Sequence, residues 1–174
     1  MSIIGYNSIG SLTANNTSHG YYLDTNASDF YTCAGTGYYV SDFNVFCKSN
    51  GANVISCGLY DMSTSGFVAS TSANVNISTT DQWYSITGLN IALTSGITYS
   101  ICLHSSLGGS SFQFAKETFG TFTWNSLYQS DWPSPIGGIA NETGSLSMYA
   151  TVQGGSGPSK NPTQLIIGKM IGIW

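Results

Sequence analysis

The chain has 174 residues, a formal net charge of −4 and a charged fraction of 7%, against roughly 25% in ordinary soluble domains. Its four basic residues are all lysines, scattered at 48, 116, 160 and 169, and so cannot neutralise a run of phosphates, which excludes a nucleic-acid binder. With 41% hydrophobic and 13% aromatic residues the chain can build one sizeable core beneath a neutral surface of Ser, Thr, Asn and Gly.

Met1-Ser2-Ile3-Ile4-Gly5 has no basic region followed by a long apolar stretch, so no secretory leader is expected and synthesis is placed in the cytoplasm. The longest apolar run lies between 165 and 174 and is broken by Lys169. It falls well short of the ~20 residues a spanning helix needs, so no membrane span is expected.

Along the chain, a short apolar lead-in at Ile3-Ile4-Gly5-Tyr6 is followed by a loop over 13–20. Ordered structure begins at Tyr21, and a short strand covers 29–33. Residues 38–47 alternate strongly, with Tyr39, Phe43, Val45 and Cys47 on one parity and Asp42 and Asn44 on the other. This is the signature of a strand with one buried face. Asn50-Gly51 reads as a hairpin turn, returning the chain through a strand over 53–61. Short strands follow at 67–70 and 73–78, then one centred on Trp83-Tyr84, a segment over 89–93, and a strand over 97–104 with Tyr99, Ile101 and Leu103 inward. Another runs from 111 to 115 through Phe112 and Phe114.

Between 117 and 141 the alternation fades and aromatics crowd together, while Pro133 and Pro135 forbid a central strand. A long loop packed by its own side chains is predicted there. Clean alternation returns at 145–152, with Leu146, Met148, Ala150 and Val152 opposite Ser147, Tyr149 and Thr151. No helix of useful length is expected. About ten short strands separated by turn signals predict an all-β protein: an antiparallel, jelly-roll-like β-sandwich. Its parts are a sandwich domain over 1–153, a Gly/Pro-rich linker over 154–162, and an extended apolar tail over 163–174.

The four cysteines, at 33, 47, 57 and 102, show no metal-ligand spacing, so no metal centre is expected from them. If 38–47 and 53–61 form a hairpin, Cys47 and Cys57 lie roughly opposite. They then read either as a disulfide or, more simply, as two buried thiols. Catalysis needs a constellation of nucleophile, base or paired carboxylates. His19 and His104 stand apart, no Gly-x-Ser-x-Gly elbow occurs, and the eight acids fall singly at turns and strand ends. No enzyme and no cofactor are expected. Asp24, Asp29, Asp61 and Asp131 offer oxygens for a structural calcium ion, with turn capping as the simpler reading.

Two segments carry functional expectations. Trp124, Tyr128 and Trp132, with Asp131 among them, suit a stacking platform for a glycan; a satellite core under the loop is the simpler reading. In the tail, Leu165, Ile166, Ile167, Met170, Ile171, Ile173 and Trp174 suit either a strand added to the chain's own sandwich or, as the favoured reading, strand addition or groove filling on a neighbouring subunit.

The order of short motifs resembles a known group. Ile4-Gly5-Tyr6-Asn7-Ser8-Ile9-Gly10, Phe30-Tyr31-Thr32, Gly37-Tyr38-Tyr39-Val40-Ser41-Asp42-Phe43 and Gly58-Leu59-Tyr60-Asp61 occur in that order. They are followed by Trp83-Tyr84, Leu93-Thr94-Ser95-Gly96-Ile97-Thr98-Tyr99, Phe119-Gly120-Thr121-Phe122, Trp132-Pro133-Ser134-Pro135 and Leu146-Ser147-Met148-Tyr149-Ala150-Thr151. Over residues 4–152 this succession is similar to β-sandwich structural proteins encoded by tailed phages, which are related to carbohydrate-binding-like surface modules. Residues 123–131 look like an insertion, and the tail has no counterpart. The resemblance implies a non-catalytic virion component, such as a capsid decoration, head-fibre or tail protein. Such a protein would be assembled in a host cytoplasm as a homo-oligomer or with other virion proteins. A carbohydrate-binding or adhesion module acting outside cells is the alternative.

Overall fold

The computed structural model describes residues 2–14, 20–49, 55–73, 77–105, 112–125, 132–135 and 140–155. They form two antiparallel sheets packed face to face, the expected β-sandwich. The first sheet contains β1 (Ser2–Tyr6), β2 (Ser11–Ala14), β5 (Tyr38–Ser49), β8 (Gln82–Ala92), β10 (Phe112–Lys116) and β13 (Met148–Gly154). The second contains β3 (Gly20–Asp24), β4 (Tyr31–Thr32), β6 (Ile55–Asp61), β7 (Gly66–Ala73), β9 (Thr98–Ser105), β11 (Thr121–Asn125) and β12 (Ala140–Thr143).

Two strands organise the sheets. On one edge β5 pairs with β8; on the other it pairs with β13 and then with β10. In the second sheet β9 pairs with β6 on one side and with β3 and β4 on the other. Their inward residues meet between the sheets: Phe43, Val45 and Cys47 from β5, and Tyr99, Ile101 and Leu103 from β9, joined by Ile4, Leu59, Phe112, Phe122 and Met148. Each such apolar side chain contributes roughly 1.5–3 kcal/mol when fully buried.

Within β5, the register against both β8 and β13 shifts between Val40 and Asp42. The bulge switches parity, so Val40 is buried together with Phe43 while Tyr39 stays half-buried. A strict period-2 reading had put Tyr39 inward, and one extra residue is enough to move it.

The expected hairpin between 38–47 and 53–61 does not form. Both edges of β5 are already paired, and β6 lies in the other sheet between β7 and β9. The tight hairpin is instead β6–β7. Asp61 Oδ1 accepts hydrogen bonds from Ser63 N (2.8 Å) and Ser63 Oγ (2.7 Å), and Ser65 takes φ 53. Those bonds hold the Asp61 carboxyl below its usual range, as a turn-capping aspartate requires. Cys47 and Cys57 therefore belong to opposite sheets within one core, and all four cysteines are buried and free.

Other boundaries moved as well. Residues 27–29 form a 3-10 turn before the two-residue β4. One strand, β8, replaces two segments, and β7 runs unbroken from 66 to 73. The 117–141 stretch carries strands β11 and β12 at the sheet margin. Among the described residues no helix is long and apolar enough to cross a membrane.

Burial pushes the Cys57 thiol up to about 12 and raises Cys47 and Cys102 as well. A thiol must ionise and be reached before it reacts, so native protein is expected to give almost no reaction with a thiol reagent such as DTNB. Four equivalents should react on unfolding; rapid labelling of any cysteine in the native state would contradict this packing.

Candidate functional site

The outward face of β5 carries Asp42, Asn44, Phe46 and Lys48, the parity opposite to its core residues, with Lys48 Nζ paired to Asp81 Oδ1 at 3.0 Å. Flanking strands place Ser85 across from Asn44 and Trp83 across from Phe46 on β8, and Tyr149 across from Asn44 and Thr151 across from Asp42 on β13. This brings three half-buried rings together. Trp83 packs edge-on against Phe46 (centroids 5.5 Å, 70°) and against Tyr149 (5.2 Å, 70°).

A polar ladder adjoins them. Asp42 Oδ1 accepts from Thr151 Oγ1 (2.6 Å) and Asn44 Nδ2 (2.6 Å), and Asp42 Oδ2 accepts from Ser41 Oγ (2.8 Å). Ser85 Oγ donates to Asn44 Oδ1 (2.5 Å), and Gln153 Nε2 donates to Ser41 Oγ (3.1 Å). Asn44 is 7% exposed and Thr151 1%, although both point away from the main core. Trp83 and Tyr149 flank them, so the face is pre-organised: its polar groups are held by one another and its rings by mutual contact.

Next to this face, β8 forms a margin of the first sheet, pairing only with β5 among the described strands. Its regular run Gln82–Thr87 has no charge and no proline. The opposite sheet ends on β7, whose bulged Val68 is 40% exposed.

The residues singled out from sequence fall elsewhere. Trp132 lies on the outward face of the second sheet, stacked on Phe67 (5.7 Å, 14°) and edge-on to Tyr21 and His104. Its indole covers Gly58, where a Cβ would come within 2.6 Å of the ring. Residues 132–135 strap this small second cluster of Tyr21, Leu23, Tyr60 and Cys102. The strap is pinned by Tyr60 Oη donating to the Pro133 carbonyl (2.8 Å) and Phe67 N donating to Ser134 Oγ (3.1 Å). The Trp124 backbone pairs with Tyr22 and Ala140, but its side chain lies outside the described set. Tyr128, Asp131 and the tail residues Leu165, Ile166, Ile167, Met170, Ile171, Ile173 and Trp174 also lie outside the described residues.

A second polar centre sits at the β3 end. Asp24 is fully buried, with Oδ1 accepting from Asn26 N (2.9 Å). Its Oδ2 has no hydrogen-bond partner among the described residues. Burial, and then the neighbouring Asp29 carboxylate, push Asp24 up to about 8.

Among the described residues no three His, Cys, Asp or Glu side chains come together in a way that could hold a metal ion. No family model, curated protein or solved structure matches the chain.

The aromatic face was missed because Trp83 and Tyr84 were read together as one framework strand. The usable signal was parity: Phe46, Trp83 and Tyr149 stand among polar residues on the outward side of their strands.

Two outcomes follow from this geometry. Trp132→Ala is expected to cost about 2–3 kcal/mol, below the range for a fully buried tryptophan, and Gly58→Ala about 1–3 kcal/mol by overpacking. Both are read as a lower urea midpoint, and an unchanged midpoint would refute the strap. The second concerns pH. Asp24 has a folded-state value above its unfolded value of 3.8, so the folded state holds the extra proton between about pH 4 and pH 8. Stability from this group is complete below 4 and declines by up to ~1.4 kcal/mol per unit as pH rises through that window. In EDTA-containing buffer the difference between wild type and Asp24→Asn should carry this slope; parallel pH profiles would contradict it.

Proposed function

We propose that this chain is a non-catalytic structural component of a phage-like virion that acts by assembling with copies of itself. The observation that carries the reading is the Phe46–Trp83–Tyr149 cluster, half-buried and set beside the uncharged margin of β8. Aromatic anchors within a polar rim are what the core of a protein interface is made of, and here the rim holds Asp42 and the Lys48–Asp81 ion pair. Exposed sheet margins are ordinarily blunted with charge or proline. The Gln82–Thr87 run carries neither, which suits a strand or face of another subunit lying against it.

A second copy is the favoured occupant because the surface has little charge with which to select a different partner. The motif order set out above supports the virion setting.

The same face favours a second reading, a glycan-binding module. A sugar ring stacks on indole or phenol, and the ladder of Asp42, Asn44, Ser85 and Gln153 offers groups for its hydroxyls.

Light scattering on the full chain separates the two. Assembly is expected to give a mass that is a multiple of 18.4 kDa, with Trp83→Ala weakening association at least ~30-fold, as for an interface hot spot. A stable monomer at high concentration would refute it. If Trp83 fluorescence in that monomer also responded to oligosaccharides, and the response were lost in Asn44→Ala, the glycan reading would replace it.

A further inference from the structure

The loop that closes β3 collects oxygen-bearing side chains from two distant parts of the chain. Asn26 Nδ2 donates to Asp29 Oδ2 (2.9 Å) and to Ser145 Oγ (2.8 Å), and Ser145 Oγ donates to Asp29 Oδ2 (3.0 Å). Ser28 Oγ donates to Asp29 Oδ1 at 3.3 Å. Asp24 lies beneath them with no exposed surface, and its Oδ2 accepts from no described donor. Ser145 is also fully buried, whereas Asn26 and Asp29 are half-exposed, so the group is open to solvent on one side. Gly120 walls another side. A side chain there would run into Ser145 Oγ and approach Asn26 Nδ2 at 2.9 Å, so the backbone closes directly over the cluster.

Without a cation, a proton on Asp24 bridges its carboxyl to Asp29; when that proton leaves, the pair is one positive charge short. A buried carboxylate oxygen without a donor, beside a second carboxylate, is costly to leave unmet. The side chains available are all hard oxygens, with no sulfur and no imidazole among them, a set that selects calcium over zinc or copper. Asn26 turns its carbonyl oxygen inward when its amide rotates by half a turn, and the Ser145 hydroxyl can offer a lone pair when its proton swings away. We propose that Asp24, Asn26, Asp29 and Ser145 form a binding site for a single calcium ion that clasps the β3 loop to the segment leading into β13. The same corner is already tied by Thr25 N donating to the Thr121 carbonyl (3.1 Å) and Gly144 N donating to the Gly120 carbonyl (2.9 Å). Bound calcium therefore adds stability to an existing junction.

The test uses the full chain, stripped with EDTA and dialysed, with calcium chloride added at constant ionic strength. Calcium at about 100 times its dissociation constant should raise Tm by roughly 5–10 °C, and calorimetry should give one site per chain. Asp29→Asn and Asp24→Asn should each abolish the rise, while Asp61→Asn, at a separate turn, should keep it. If Asp24→Asn fails to fold, the half-exposed Asp29→Asn carries the test. No Tm rise at millimolar calcium in the wild type overturns the proposal and leaves a shared proton as what joins the two carboxyls. An equal rise in Asp29→Asn also overturns it, because the ion would then be bound elsewhere.

Discussion

The sandwich depends on β5 being paired along both edges while its two faces do different work. One face supplies Phe43, Val45 and Cys47 to the core, and the other supplies Asp42, Asn44 and Phe46 to the outward surface. Neither role can be moved independently, since a slip of one residue exchanges the faces. The bulge at Ser41 is where the strand reconciles the two demands. On one side of it Val40 is buried, and on the other the Phe43 register takes over, while Ser41 Oγ reaches the Asp42 carboxylate and fixes the irregularity in place. The organised outer face is thus a consequence of how the core is registered.

The second sheet meets a similar demand differently. Its outward side is covered at Gly58 and Tyr60 by the 132–135 strap, so apolar residues there are closed over by the chain itself. On the first sheet the rings of Trp83 and Tyr149 remain half-buried with no such cover among the described residues. That asymmetry is what motivates the proposal that the first sheet is the recognition surface. The closed side stabilises the fold, and the open side keeps its rings half-buried.

Most of the strands were legible because alternation is written directly into the side chains. The inward sets on β9, β10 and β13 were readable as Tyr99, Ile101 and Leu103, then Phe112 and Phe114, then Met148, Ala150 and Val152. Partner choice was not legible. Asn50-Gly51 advertises a local turn, but whether the chain returns to the same sheet depends on competition for the edges of β5, and β8, β10 and β13 arrive from far along the sequence. Strands β11 and β12 were hidden because Thr121–Asn125 and Ala140–Thr143 are short marginal strands with weak patterning. Trp132 stood out as an aromatic in a loop, yet nothing local announced that Gly58 had made a flat seat for it. Asp24 and Asp29 were visible as single acids, while Ser145, which completes their cluster, lies 116 residues beyond Asp29.

The proposed working surface is the Trp83 face and the margin of β8. Hydrogen exchange measured at low and high protein concentration tests this directly. Amides of Gln82–Thr87 are expected to gain protection as concentration rises, with the β5 and β9 amides strongly protected throughout. Exchange in β8 that is the same at both concentrations, or protection that appears only on the Trp132 side, would contradict it.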